Sequence, residues 1–228
     1  MTKQIKLPVF AFMALVSSSL LLAGCVIHVG ASDDKGGYSY AKERNYSSTN
    51  KSVKVAQGVS AGNVSSVNGS VKVEDNASVE EVSNVNGRIS IGENVTAADV
   101  SVVNGKVSIG KGFTGQGNIE TVNGQIKIDS DSSVTGNIET VNGDIELEGV
   151  SIGGSVSSTN GDISLLDGSV VNGDVIFEGR PNKNKSWRNK APTLKVDAGS
   201  TIKGKIIIYK DVDFDFADSA LMSKVERR

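Results

Sequence analysis

The chain has one cysteine, one histidine, one tryptophan and three prolines in 228 residues, and each scarcity removes a possibility. Cys25 alone cannot close a disulfide within the chain, so stability has to come from packing. The only histidine, His28, lies three residues after it, which leaves little for imidazole-based catalysis elsewhere. Aromatics are 5% of the residues, so the core is expected to lack a bulky aromatic centre. Charge is nearly balanced, 24 Lys and Arg against 26 Asp and Glu, and a net −2 gives no basis for nucleic-acid binding. What is plentiful is small: 26 glycines, with valine, serine and asparagine.

The first residues predict a compartment. Lys3 and Lys6 precede a run from Leu7 to Ala23, apolar except for Pro8 and Ser17 to Ser19 and short for a membrane-spanning helix. It ends in Leu22-Ala23-Gly24-Cys25, with small residues where a signal peptidase cuts. This tetrapeptide resembles the lipobox of bacterial lipoproteins. The resemblance implies a signal peptide over 1–24 and a Cys25 that carries a thioether-linked diacylglycerol and becomes the first residue. Two or three acyl chains anchor a protein stably, at about 0.8 kcal/mol per buried methylene. Val26, where an Asp would favour the inner membrane in such lipoproteins, points to the outer membrane, with the body periplasmic or surface-facing. Cleavage removes two lysines and no acid, leaving 22 bases against 26 acids, a balance of −4. Residues 25–49 are polar and aperiodic and are expected to form the lipidated cysteine and a flexible tether.

Repeats organise the rest. Asn-Gly recurs at 68, 86, 104, 123, 142 and 160, and Asn50 extends the series backwards with Lys51 in the glycine place. The steps are 18 or 19 residues. Aliphatic residues keep the same period three and five after each asparagine, as in Val71 and Val73 or Ile126 and Ile128. They also recur four before, as in Val82 and Ile119, and one before, as in Val67, Val85, Val103, Val122 and Val141. Alternating β-branched residues predict strands with one buried face, and a repeat that cannot bury that face alone does so by stacking. The expected fold is all-β, a single-stranded parallel β-helix over 50–216 with coils of 18–19 residues. Asn-Gly is then a corner where Gly and Asn tolerate positive φ, and the asparagines stack into an amide ladder. A meander of Asn-Gly hairpins is the rival.

A second signature, apolar-x-Gly-x-aliphatic, runs through Val134 to Ile138, Ile152 to Val156, Val171 to Val175 and Ile202 to Ile206. Between its last two occurrences an inserted loop, 180–192, carries Arg180, Lys183, Lys185, Arg188 and Lys190, no acid, and Trp187. Such a loop suits an anionic glycan or lipopolysaccharide, with Trp stacking on a sugar. Ile206 to Phe216 suits a terminal cap, and 217–228 is expected to be a tail. Asp211, Asp213 and Asp215 alternate as on an exposed strand face, and no metal or cofactor is expected.

The lipobox, the Val-Asn-Gly-x-Ile-x-Ile coil and the Val-x-Gly-x-Ile strands resemble bacterial β-strand-repeat proteins of the adhesin type, and are similar to bactofilins, the polymer-forming cytoskeletal β-helices. The resemblance covers about residues 48–216 and implies a right-handed helix and a structural or adhesive surface protein, self-associating end to end. Catalysis is not expected. Coils of 18 residues also occur in hexapeptide acyltransferases, but those use a histidine base. The outward acids Glu120, Glu139, Asp144, Glu146 and Asp162 make stacked neighbours rather than a shielded pair. The expected function is a membrane-anchored, non-catalytic envelope lipoprotein; the alternative is a binding module acting through the basic loop.

Overall fold

The computed structural model describes residues 44–179 and 191–228. Its strands wind as a parallel β-solenoid. Every strand pairing is parallel, and like position pairs with like: Ile126 lies between Val107 and Ile145, and Ile119 between Val100 and Ile138. A meander would require antiparallel neighbours, so the hairpin reading of Asn-Gly fails.

One wall is a nine-stranded sheet of short strands, from Val53–Val55 through Ile126–Ile128 to Asp213–Phe216. The other starts as a broad sheet of nine-residue strands, Ser60–Asn68, Ser78–Asn86 and Thr96–Asn104. It then forks into two ladders, beginning at Thr114–Gly115 and Ile119–Asn123. The cause is one added residue. In the early coils the inward Ala61 and Val64, Val79 and Val82, and Ala97 and Val100 are three apart, so two residues bulge between them on one strand. In the next coil Gly115 and Ile119 are four apart, and the bulge becomes a corner. The apolar-x-Gly-x-aliphatic signature is this corner.

The same count explains the changing period. The coil that gains the corner residue steps by 19, from Asn104 to Asn123. Gly149, at φ 63°, makes a tighter turn that drops one residue and returns the step to 18. Across the inserted loop Val171 pairs with Ile202, a step of 31.

Three of the four expected aliphatic columns fill the interior, and residues such as Val71, Ile109 and Ile138 are fully or nearly fully buried. Each contributes roughly 1.5–3 kcal/mol of gross burial. The fourth column faces out. Val67, Val85, Val103, Val122 and Val141 are half-buried on the outer surface, while Ser66, Asn84, Val102, Thr121, Thr140 and Ser158 point inward beside them. Parity decides this. Positions four and one before the asparagine are three apart, so an uninterrupted strand cannot turn both inward. Of the inward polar residues, Asn84 Nδ2 donates to Gly69 O at 2.7 Å and Ser158 Oγ to Gly161 O at 3.0 Å, both corner carbonyls, while Thr121 Oγ1 has no partner among the described residues.

The core also has aromatic weight that the composition did not suggest, because Phe113 and Phe177 are fully buried. Phe113 explains a break in one aliphatic column. A Cβ at Gly115 would lie 2.9 Å from its ring, so glycine there makes room for it.

Both expected ends of the body move outward. Arg44–Ser48, inside the stretch expected to be tether, is a strand paired with Ser60–Asn68. The expected tail holds a 3-10 helix, Ser219–Lys224, which buries Leu221, and a last strand, Val225–Arg227, paired with Ile206–Ile208. The signal peptide expected over 1–24, with Cys25 and His28, lies outside the described residues.

Candidate functional site

The most continuous chemical feature is the Asn ladder on the solenoid edge. Each amide Nδ2 donates to the Oδ1 of the asparagine one coil earlier. Asn68 donates to Asn50 at 3.2 Å, Asn86 to Asn68 and Asn104 to Asn86 at 3.0 Å. Asn123 donates to Asn104 at 2.9 Å, Asn142 to Asn123 at 2.8 Å and Asn160 to Asn142 at 2.9 Å. The amide dipoles thus align head to tail, with their negative end at Asn160.

Of the glycines beside them only Gly87, at φ 147°, and Gly143, at φ 159°, have the positive φ that the sequence suggested, and lack of space is the wider reason for glycine. A Cβ at Gly87, Gly105, Gly124 or Gly161 would overlap the carbonyl oxygen of the glycine one coil earlier, so the corner closes too tightly for any side chain. Left-handed backbone occurs at another corner, at Gly58, Asn76, Asn94, Gly112, Asp131 and Asp167. There Asn and Asp adopt it at low cost.

The ladder stops at Asn160 because Gly179 takes the next position, beside Phe177, which pairs with Ser158. One coil further, Lys210 follows Ile208, which pairs with Phe177. Gly179 has no side chain, and the Lys210 stem crosses it, passing within 3.2 Å of where a Cβ would be. The ammonium donates to Thr159 O and lies 3.5 Å from Asn160 Oδ1. A cation thus sits at the negative end of the amide row, and burial lowers its pKa.

A second row, which the sequence reading missed, follows the forked corner. Here side-chain oxygens accept backbone N–H groups from the following coil: Asp99 from Asn118 at 2.8 Å, Asn118 from Asn137 and Asn137 from Ser155 at 2.9 Å. Ser155 and Asp174 continue it to Lys205. The recurrence of Asn or Asp just before the aliphatic residue, at 99, 118 and 137, was its sequence signal.

The five outward acids divide. Asp144 Oδ1 accepts the N–H of Asp162, and Asp162 Oδ1 that of Thr193, so both carboxylates hold the main chain. Glu146 joins Glu148 around Lys127, at 2.7 and 2.8 Å, with Asp129 at 3.9 Å. Hydrogen bonds to Glu146 and Glu148 raise the Lys127 pKa. Of the five, only Glu120 and Glu139 stack on each other as carboxyls, in register on adjacent strands, and Asn118 Nδ2 donates to Glu120 Oε1 at 3.3 Å. Partial burial, then the charge of Glu139, pushes Glu120 up to about 6. Partial burial and Glu178 also raise Glu139. The pair can hold a proton near neutral pH, on a sheet face.

Arg180, Lys183, Lys185, Trp187, Arg188 and Lys190 lie outside the described residues. Asp211 stands 3.7 Å from Arg227, while Asp213 and Asp215 are exposed on the last short-walled strand. Among the described residues no three His, Cys, Asp or Glu side chains group as metal ligands, and no helix is long and apolar enough to cross a membrane. Comparison with protein-family models, with curated proteins and with solved structures gives no match.

Proposed function

We propose that the chain is an envelope lipoprotein, anchored to the outer membrane through Cys25, whose solenoid has a structural or adhesive role. The observation that carries this reading is the constancy of the outer surface. Seven asparagine amides stand at one edge, one per coil, beside a column of outward valines. Parallel strands repeat such groups about every 4.8 Å, a spacing that suits an extended, repeating partner, including further copies of the chain. Of the outward carboxylates, Asp144 and Asp162 are bonded to main-chain N–H groups and Glu146 to Lys127.

Two experiments test it. Labelled palmitate should enter the wild-type chain and not Cys25→Ala, and the variant should leave the membrane fraction. A variant that keeps both label and membrane association would remove the anchor. Purified Cys25→Ala protein viewed by electron microscopy should form end-to-end assemblies; single particles at high concentration would remove self-association.

The second reading is a binding module for an anionic envelope polymer through the basic loop. Its support is position: the loop departs next to Gly179, where Lys210 already places a cation. Replacing Trp187 and the five bases should then abolish retention on lipopolysaccharide or peptidoglycan.

A further inference from the structure

Asn-Gly is chemically as well as structurally distinctive. The glycine nitrogen can attack the preceding side-chain amide, because no Cβ blocks the approach. The chain has seven such pairs, the six of the ladder and Asn172-Gly173 at another corner. In five of them the glycine N–H is engaged. Gly69 donates to Asn86 O at 3.2 Å, Gly87 to Asn104 O and Gly105 to Asn123 O at 3.0 Å, and Gly124 to Asn142 O at 2.9 Å. Gly173 donates to Gly154 O at 2.9 Å. The bond is missing at the ladder's end, since Gly143 does not donate to Asn160 O, nor Gly161 to Gly179 O.

Among the described residues neither of these two glycine N–H groups has a backbone partner, but the pairs differ in their amides. Asn142 is held on both sides, by Asn123 and Asn160. Asn160 is exposed and held on one side by an asparagine, and its Oδ1 faces the Lys210 ammonium at 3.5 Å. A cation there withdraws electrons from Cγ and stabilises the oxyanion that forms when Cγ is attacked.

We propose that Asn160-Gly161 is a built-in deamidation site, assembled by the end of the ladder and the Lys210 cap. The Gly161 nitrogen forms a bond to Asn160 Cγ, and the Cγ–Nδ2 bond breaks. The Gly161 backbone is buried, so its proton is handed to the leaving nitrogen at the exposed Asn160 side chain, and that nitrogen departs as ammonia. Water then opens the cyclic imide at either carbonyl, giving aspartate or isoaspartate. No oxidant, metal or second protein is needed. The product places a new negative charge beside Lys210.

Peptide mapping by mass spectrometry tests this. The full chain is aged in mildly alkaline buffer, once native and once in urea. In the native sample the gain of one mass unit should concentrate on the Asn160 peptide. Asn142 should follow, and the five protected sites should lag by about tenfold or more, the effect of breaking one or two further hydrogen bonds. In urea the seven should react at similar rates. An even native distribution, or one led by an interior ladder residue, would overturn the proposal. Lys210→Met should slow the Asn160 reaction in the native chain and leave the urea rate unchanged. An unchanged or faster native rate would overturn the role given to the ammonium.

Discussion

Replacing Gly105 by alanine probes one of the tight corners of the stack. The added Cβ would overlap Gly87 O and come within 2.7 Å of Gly87 C, and both are backbone atoms fixed by strands on either side. Relief requires the two coils to separate at that corner. Separation breaks the Gly87 N–H bond to Asn104 O and the Asn104 amide bond to Asn86, each 3.0 Å long. At about 1 kcal/mol per bond, with the strain of displacing paired backbone, the expected loss is about 3–4 kcal/mol. Gly58→Ala is the control. Nothing lies within 4 Å of its Cβ, but its φ is 70°, so it should cost only about 1–2 kcal/mol. Urea unfolding of the soluble Cys25→Ala background measures both. Because stacked coils need not unfold as one unit, hydrogen exchange of the amides around residues 86–124 checks that the damage is local. If Gly105→Ala costs no more than Gly58→Ala, glycine is not retained at this corner for lack of space, and the account of the Asn-Gly repeat fails.

Three other outcomes follow from the same geometry. Glu120 titrates near 6 in the folded chain against an ordinary 4.5, so the folded state binds the extra proton and stability falls as pH rises from about 4.5 to 6. Glu120→Gln should flatten that slope and raise stability at neutral pH by about 1 kcal/mol, allowing for partial exposure; a steeper slope in urea titrations would contradict it. Lys127→Met leaves Glu146 and Glu148 unneutralised, and should cost about 1 kcal/mol at low salt and less at high salt. A loss independent of ionic strength would mean that the ammonium matters through packing. Phe177→Ala empties a fully buried site and should cost about 3–5 kcal/mol by thermal or urea unfolding.

The misread valine column shows where reading from spacing went astray. Val67, Val85, Val103, Val122 and Val141 recur as faithfully as the core residues, but recurrence does not distinguish a buried column from an outward one. Their odd separation from the column at Val82 and Val100 already placed them on the other face. What hid this was the inward neighbours such as Ser66 and Asn84, which are polar because they bond corner carbonyls rather than face hydrocarbon. The second row of oxygen acceptors was present in the sequence as Asp99, Asn118 and Asn137, but its partners are N–H groups 18 or 19 residues away.

By itself the sequence determined the parallel solenoid, its coil length, three of its four aliphatic columns and the Asn ladder. All of these follow from one repeat, because stacking places equal positions over one another. Only the tertiary structure decided how the ladder ends. Lys210 reaches Asn160 across Gly179 from 50 residues away, and no period links an inserted loop's two sides to a side chain that spans the gap. It also decided why the corner glycines are glycines: the obstruction is a carbonyl of the preceding coil, and local φ preferences do not contain it.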